Sequence, residues 1–233
     1  MVLKNTLEMI SIKQGSTTTA QVTFEATAIG SEQIRITFKG LSSNNPNKYG
    51  NRIYLWENID NIIPWGDDQP IKNEAITELG PQGSIELHGL KLQDKSYIIA
   101  YCVGKDVYNI CSTTIIPLGG QKSENLFQTS IQLISHETDS LNVSYEAPEG
   151  CAPKTSNHWI GLWEGRQAGY QTRANPVYQQ IVDSDRSKAN IGISYKLDRD
   201  TTYTVAYFVG GYKDSDPSKS LNTVMAATTT FST

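Results

Sequence analysis

The residue types that most often carry out chemistry are scarce in this sequence and lie far apart. The histidines and cysteines are His88, His136, His158, Cys102, Cys111 and Cys151. The cysteines show no C-x-x-C spacing, the histidines occur singly, and common hydrolase and nucleotide-binding motifs such as G-x-S-x-G and H-E-x-x-H are missing. We therefore predict that the protein is not an enzyme, with no catalytic residue and no metal ligand.

The cysteines are interpreted from their surroundings in the sequence. Cys102 and Cys111 flank a predicted hairpin across which they could form a disulfide bond, but the start of the chain lacks a secretory signal. Reduced, half-buried thiols are therefore the favoured interpretation. Cys151 lies in a Pro-Glu-Gly-Cys-Ala-Pro loop, a position compatible with exposure, and no histidine nearby in the sequence would lower its pKa.

Pairs of aspartates recur in the predicted loops and have two interpretations. Two neighbouring carboxylates can supply part of the oxygen shell of calcium, but Asp side chains also initiate turns by accepting backbone N–H groups. Turn formation is favoured because no pair continues into a complete EF-hand loop. We predict no cofactor, and we keep a weak calcium site at Asp214 and Asp216 as the alternative.

Composition limits the partners and the compartment. The 233 residues carry 20 Lys and Arg against 24 Asp and Glu, which gives a net charge of -4 without a basic cluster for phosphates. Nucleic acid is therefore not an expected partner. No apolar run reaches the ~18 residues of a transmembrane helix, and the first residues lack a signal peptide, so we expect a cytoplasmic protein.

An internal repeat organises the chain. Short motifs recur with the same polarity pattern, at offsets of 107 residues for 34–38 with 141–145 and 53–57 with 160–164. The segment YCVG at 101–104 matches YFVG at 207–210 with an offset of 106 residues. Such self-similarity indicates a tandem duplication, with its boundary near residue 120.

Strand patterns dominate both copies. Apolar and polar residues alternate with a period of two in segments rich in Ile, Val, Thr, Tyr and Phe. The predicted strands are 19–28, 32–39, 51–57, 84–88, 96–103, 108–117, 129–136, 140–147, 158–164, 189–194, 202–209 and 222–231. These patterns predict an all-β fold of two tandem immunoglobulin-like antiparallel β-sandwiches, with Trp56 and Trp163 buried between the sheets.

The predicted division of the chain has four parts. An N-terminal segment covers 1–17, the sandwiches cover 18–118 and 126–233, and a polar, glycine-led linker at 119–125 joins them. Within 1–17, a helix or an edge strand would leave three apolar side chains that need a surface: Leu3, Leu7 and Ile10. Docking of this segment on its own sandwich or on a second subunit is expected, so a homodimer is a predicted assembly.

Aromatic residues in predicted loops are the best candidates for recognition. Large rings bring contact area at low entropic cost, and Asp carboxylates beside them could accept hydrogen bonds from a ligand. The loops differ between the copies while the strands match, as expected where scaffold and site are separate. The predicted ligand-binding residues are Trp65, Asp67, Asp68, Tyr170, Tyr212, Asp214 and Asp216. Tyr49 and Tyr108 are further loop aromatics of the same kind.

The second copy also resembles a known domain family. Its segment LNVSYEAPEGCAPKTSNHWIGLWEG, the downstream Tyr170 and Val177-Tyr178, and the closing YTVAYFVGG are similar to SKICH-type immunoglobulin-like domains. Residues 51–57 and 96–104 repeat this pattern more loosely. The resemblance implies non-catalytic modules that bind proteins or direct partners to membranes, and a chain built only of such modules.

Together, these patterns predict a non-enzymatic interaction protein. Its two immunoglobulin-like modules would recognise a protein or surface ligand through their loops. A lectin-like protein that stacks a glycan on Trp65 or Tyr170 is one alternative. A toxin-like or structural self-assembling protein is the other.

Overall fold

A computed structural model describes residues 17–65, 69–170 and 175–233 of the chain. Nearly all of the predicted N-terminal segment, with Leu3, Leu7 and Ile10, lies outside these residues. Within them, no helix has the length and apolar character needed to cross a membrane.

Strands are the dominant secondary structure of the described residues in both copies. The first repeat comprises β1 (Thr18–Gln21), β2 (Thr23–Ile29), β3 (Gln33–Lys39), α1 (Pro46–Tyr49), β4 (Arg52–Glu57), β5 (Lys72–Ala75), β6 (Gln82–His88), β7 (Tyr97–Cys102) and β8 (Ile110–Ile116). The second repeat comprises β9 (Glu124–Gln128), β10 (Ser130–His136), β11 (Ser140–Glu146), β12 (Trp159–Glu164), β13 (Tyr178–Ile181), β14 (Lys188–Ser194), β15 (Thr202–Phe208) and β16 (Met225–Ser232). Short 3-10 helices lie at Val107–Asn109, Pro217–Lys219 and Asn222–Val224.

The strands form two antiparallel sandwiches. Each repeat contributes a three-stranded sheet, in the orders β2-β3-β6 and β10-β11-β14. The facing five-stranded sheets have the orders β5-β4-β7-β8-β9 and β13-β12-β15-β16-β1. The period-two pattern explains the burial, since Ile34, Ile36 and Phe38 of β3 are at most 2% exposed while the residues between them face solvent. The predicted all-β sandwich fold is confirmed.

The two repeats exchange their first strands. β1 pairs with β16 of the second repeat, and β9 pairs with β8 of the first repeat. Gln21 and Gln128, which are equivalent at the 107-residue offset, hydrogen bond to each other through their side chains. The exchanged strands β1 and β9 therefore end at equivalent residues that contact each other.

The stretch predicted as a linker, 119–125, is paired with the first repeat. The backbone N–H of Ser123 donates to the carbonyl of Ala26 at 2.8 Å, and Ala28 donates to Gln121 at 2.7 Å. Residues 124 and 125 already belong to β9. The connection therefore continues the strand pairing, and the division into 18–118 and 126–233 stays a prediction about separate units.

The tryptophans predicted between the sheets are buried on a different surface. Trp56 is 3% exposed, but it packs with Tyr54 and Ile98, on the face of β4 opposite to Ile53 and Leu55. This placement follows from the alternation of side chains in a strand that is buried on both faces. Ile63, from the connection between β4 and β5, packs with these residues and completes a second apolar cluster on this outer face of the sheet.

The second repeat buries Trp163 in the equivalent way. Trp163 contacts Trp159 and Phe208, with ring centroids 6.4 and 5.8 Å apart. Alternation along β12 places Trp159 and Trp163 on one face and Ile160 and Leu162 on the other. The prediction that both tryptophans are buried is right, while the predicted position between the sheets is wrong.

Candidate functional site

Loops from both repeats meet around a cleft. The first repeat contributes Tyr49 and the turn 104–109, and the second contributes residues of the β11–β12 and β15–β16 connections within 150–157 and 210–224. The cavity between them has a volume of about 780 Å³. This volume falls in the ~300–1,000 Å³ range of small-molecule sites. We call this cavity the inter-repeat cleft.

Hydrogen bonds between the repeats hold the loops of the cleft in place. The indole N–H of Trp65 donates to the Glu149 carbonyl at 2.7 Å, and the side-chain amide of Asn109 donates to the Val209 carbonyl at 2.6 Å. Each bond joins a side chain of the first repeat to the backbone of the second. The walls of the cleft are therefore fixed relative to each other rather than formed by two unconnected surfaces.

Glycine is required where these loops approach most closely. A Cβ atom at Gly104 would lie 2.4 Å from the Asn109 side-chain oxygen of its own turn and 3.1 Å from the Val224 side chain of the second repeat. At Gly150, which has φ +79, a Cβ atom would lie 2.9 Å from the Trp65 ring. Larger residues at these positions would push the two loops apart and widen the cleft.

Two tyrosines line the cleft, and each is backed by another ring. Tyr49 stacks on Tyr170 with centroids 5.5 Å apart and planes within 7°. Tyr108 stacks on Trp65 at 6.0 Å and 3°. Tyr108 is 42% exposed, so part of its surface remains open to a ligand. Stacked support of this kind restricts side-chain rotation and gives the cleft rigid aromatic walls.

The remaining lining is polar and carries balanced charge. Lys105 and Asp106 are both exposed, and the Asp106 carboxylate accepts the backbone N–H of Tyr108 at 3.0 Å. Within the described part of the chain, the side chains of Lys105, Asn157 and Thr223 make no hydrogen bond or ion pair. These groups can therefore donate to or accept from a bound molecule without breaking an internal contact.

Two of the predicted site residues support the cleft from behind. Trp65 is half-buried between Tyr108 and the Glu149 carbonyl. Tyr170 is only 5% exposed, which differs from the surface position that its predicted loop suggested. Its ring is covered because the connection after β12 folds back onto Tyr49 of the other repeat. Asp67 and Asp68 lie outside the described residues.

The other predicted residues lie beside the cleft rather than in it. Tyr212 is half-buried and its ring lies 6.3 Å from that of Trp159, while Asp214 is exposed. Asp216 pairs with Lys219 at 2.8 Å and accepts the Ser218 hydroxyl at 2.6 Å, and these bonds hold the pKa of its carboxyl below the ordinary value. This arrangement resembles the predicted turn more than a calcium shell. Among the described residues, no three acidic, His or Cys side chains cluster at metal-binding distance.

Several cleft residues were not predicted from the sequence. Tyr49 and Tyr108 were recognised as loop aromatics, but Lys105, Asn109 and Asn157 carry no signal of their own because such residues are common in turns. Asn109 and Asn157 are brought together only by the packing of the repeats. Aligning the corresponding turns of the two copies would have grouped these positions at one end of each sandwich.

A buried polar pair lies next to the cleft. His158 is fully buried, and its Nδ1 lies 2.8 Å from the hydroxyl of Tyr207. Burial lowers the pKa of His158 to about 3, although the charge of Asp185 acts in the opposite direction. The imidazole is therefore neutral near pH 7, and it is held by a structural hydrogen bond.

The cysteines are free thiols in the interior. Cys151 is 2% exposed, so its predicted accessibility is wrong, and burial raises its pKa to about 12. Cys102 and Cys111 lie in different apolar clusters on the two faces of the β7–β8 hairpin. A β-bulge between these strands shifts the register there, so the two thiols do not face each other as a cross-strand pair would.

Comparisons with known proteins assign no family. No family model and no curated protein match the chain. Solved structures similar to it include a biofilm-associated protein (BSP domain), with 10% identity and a TM-score of 0.25, covering 84% of this chain and 27% of that one. A DUF3823 family protein from Bacteroides uniformis has 10% identity and a TM-score of 0.29, with coverages of 82% and 90%. Similarity at this level assigns neither family nor function, and the likeness to SKICH-type domains stays one of strand patterns.

Proposed function

We propose that the protein is a non-catalytic binding protein whose ligand site is the inter-repeat cleft. The observation that carries this proposal is the pairing of each cleft-lining tyrosine with a supporting ring, at the junction of loops from both repeats. Preformed concave surfaces with rigid aromatic anchors lose little entropy on binding. The repeats would then supply one composite site.

The state of the nearby titratable groups supports binding rather than catalysis. The buried Cys151 has a raised pKa, which keeps the thiol protonated and weakly nucleophilic. The buried His158 has a lowered pKa and holds Tyr207. Lys105 and Asp106, the charged groups that do reach the cleft, are exposed, as expected for recognition contacts.

The test is a binding screen with cleft and control variants. The wild-type protein is applied to a glycan array and a peptide array, together with Lys105→Trp, which places a bulky ring at the cleft. The matched control is Lys91→Trp, at an exposed position in the β6–β7 connection, at the opposite end of the first sandwich. We expect Lys105→Trp to remove binding of the captured probes and Lys91→Trp to retain it.

Two results would contradict the proposal. One is a probe that binds Lys105→Trp and wild type equally, which would place the site elsewhere. The other is the absence of binding above an inert β-sandwich control on both arrays. Thermal unfolding of each variant establishes that a loss of binding is not a loss of structure.

A further inference from the structure

We infer that the inter-repeat cleft takes a neutral oligosaccharide. This inference rests on the proposed function and specifies its ligand. The ligand chemistry follows from three features of the lining: rigid tyrosine walls, a balance of charge, and side chains with unused hydrogen-bonding capacity.

The aromatic walls match the shape of a sugar ring. A pyranose has a flat face of C–H groups that packs on an aromatic ring, with hydroxyl groups around its edge. Tyr108 offers such a surface because one side of its ring is backed by Trp65 and 42% of the residue is exposed. Because the ring is already held in place, stacking requires little further ordering of the protein.

The charges of the cleft favour a neutral ligand. Lys105 and Asp106 are adjacent and opposite in sign, and they are the only Lys, Arg, Asp or Glu residues in the described lining. A phosphate, sulfate or carboxylate ligand would meet the Asp106 carboxylate as well as the Lys105 ammonium group. Sugar hydroxyls can donate to the Asp106 carboxylate and accept from the Lys105 ammonium group, so both charged groups take part in binding.

The remaining polar groups extend this match along the cleft. Asn157 and Thr223 come from the second repeat and make no side-chain hydrogen bond within the described residues, whereas Lys105 and Tyr108 come from the first. Donors and acceptors therefore stand on both sides of a space of about 780 Å³. A ligand that spans the space with hydroxyls on both edges satisfies both sets at once.

An extended peptide fits the same cleft less well. Peptides are commonly captured by adding a strand to an open sheet edge or by placing apolar side chains in a groove. The described lining consists of loops, short helical turns and glycines rather than a strand edge, and its aliphatic members are mainly Leu221 and Val224. Backbone pairing and apolar anchoring are therefore weak here.

The test compares sugar classes and tyrosine variants. Wild-type protein is screened on arrays of neutral, sialylated and sulfated glycans, and the strongest neutral hit is measured as a free oligosaccharide and as a glycoprotein-attached chain. We expect Tyr108→Ala to weaken binding about tenfold or more and Tyr108→Phe to retain it within about threefold. The matched control Tyr195→Ala, a half-buried tyrosine just after β14, should bind as wild type does.

Each outcome separates this inference from the proposed function. Loss of neutral-glycan binding in Tyr108→Ala and Lys105→Trp supports both. Peptide binding that Lys105→Trp removes, without binding of neutral glycans, overturns the inference and leaves the proposed function standing. Binding restricted to sialylated or sulfated glycans also overturns it, while neutral-glycan binding that is unchanged in both cleft variants overturns both.

Discussion

The two repeats solve the same packing problem with different residues. In the first, the buried hydroxyl of Tyr101 accepts a hydrogen bond from Asn51 at 3.1 Å. At the equivalent positions of the second, the hydroxyl of Tyr207 lies 2.8 Å from Nδ1 of His158. The fold therefore preserves a satisfied tyrosine hydroxyl at this position, while the partner can change from an amide to an imidazole.

The outer faces of the five-stranded sheets show the same contrast. Tyr54 stacks on Trp56 in the first repeat, with centroids 5.4 Å apart. The second repeat has Gly161 at the position of Tyr54, and the space above it is filled by Trp159 and Trp163. Where the first repeat has a tyrosine, the second has a glycine covered by a neighbouring tryptophan. Both sheets therefore bury aromatic rings on this face, but the rings come from different strand positions.

The largest expected effect tests whether the outer layer is as important as the sandwich core. Trp163→Ala should lower the free energy of unfolding by about 3–5 kcal/mol, because a fully buried ring is removed and the lining of the cavity relaxes only in part. Urea unfolding followed by circular dichroism measures the change. Trp56→Ala should lose a similar amount, and a loss below about 1 kcal/mol in either would show that this layer contributes little.

Replacing Gly161 by alanine is expected to have the next largest effect. A Cβ atom at Gly161 would lie 2.5 Å from the Trp163 ring, so Gly161→Ala should lower stability by about 1–3 kcal/mol through overpacking. The matched control is Gly192→Ala in β14, where the Cβ atom would lie 3.4 Å from the nearest atom. The control should be neutral or slightly stabilising. Equal melting temperatures for the two variants would contradict the tight packing.

Removing the tyrosine hydroxyls compares the two buried pairs directly. Tyr207→Phe leaves Nδ1 of the fully buried His158 without a partner and should lower stability by about 1–3 kcal/mol. Tyr101→Phe likewise leaves the Asn51 side-chain amide without this partner, and its loss of stability should fall within the same range. Denaturant unfolding at pH 7.5 measures both. A neutral result in one repeat alone would show that its hydrogen bond is dispensable.

The smallest expected effect is a pH dependence of stability that only the second repeat should show, through His158. The pKa of His158 is lowered to about 3 in the folded protein and is about 6.5 in an unfolded chain. The unfolded state therefore binds the extra proton below pH 6.5, and this residue's contribution should fall by at most about 1.4 kcal/mol per pH unit from there downwards. His158→Asn, which installs the residue of the first repeat, should remove this slope between pH 6.5 and 5, whereas His88→Asn should keep it.

Local patterns predicted most strands well because burial on one face imposes a period of two. The predicted strands 32–39 and 158–164 correspond closely to β3 and β12. The predicted strand 19–28 is in fact β1 and β2, which separate at Val22 because the chain changes from one sheet to another. A change of pairing partner leaves no mark on alternation, and the same is true of β9, whose first two residues lie in the predicted linker. The short edge strands β5 and β13 were also missed.

The candidate site was predicted in part, for a related reason. The sequence places the aromatic residues of the site outside the strands, as the structure does, and their role in binding stays a prediction. The sequence cannot show which ring faces the solvent and which lies behind it. Tyr170 lies under Tyr49 because loops from different repeats are packed together, whereas Trp65 lies behind Tyr108 through packing of two loops within the first repeat. These contacts join residues 121 and 43 positions apart, so no local pattern distinguishes the two layers.

The exchange of first strands also determines the order in which the molecule can fold. β1 and β16 are far apart in the sequence, with Thr18 opposite Thr230. During synthesis, β1 therefore emerges long before its partner strand. Pairings of such long sequence separation slow folding, since a large loop must close before the contact forms. We expect the first repeat to assemble β2–β8 before β16 is synthesised, and the closure by β1 and β16 to be a late step.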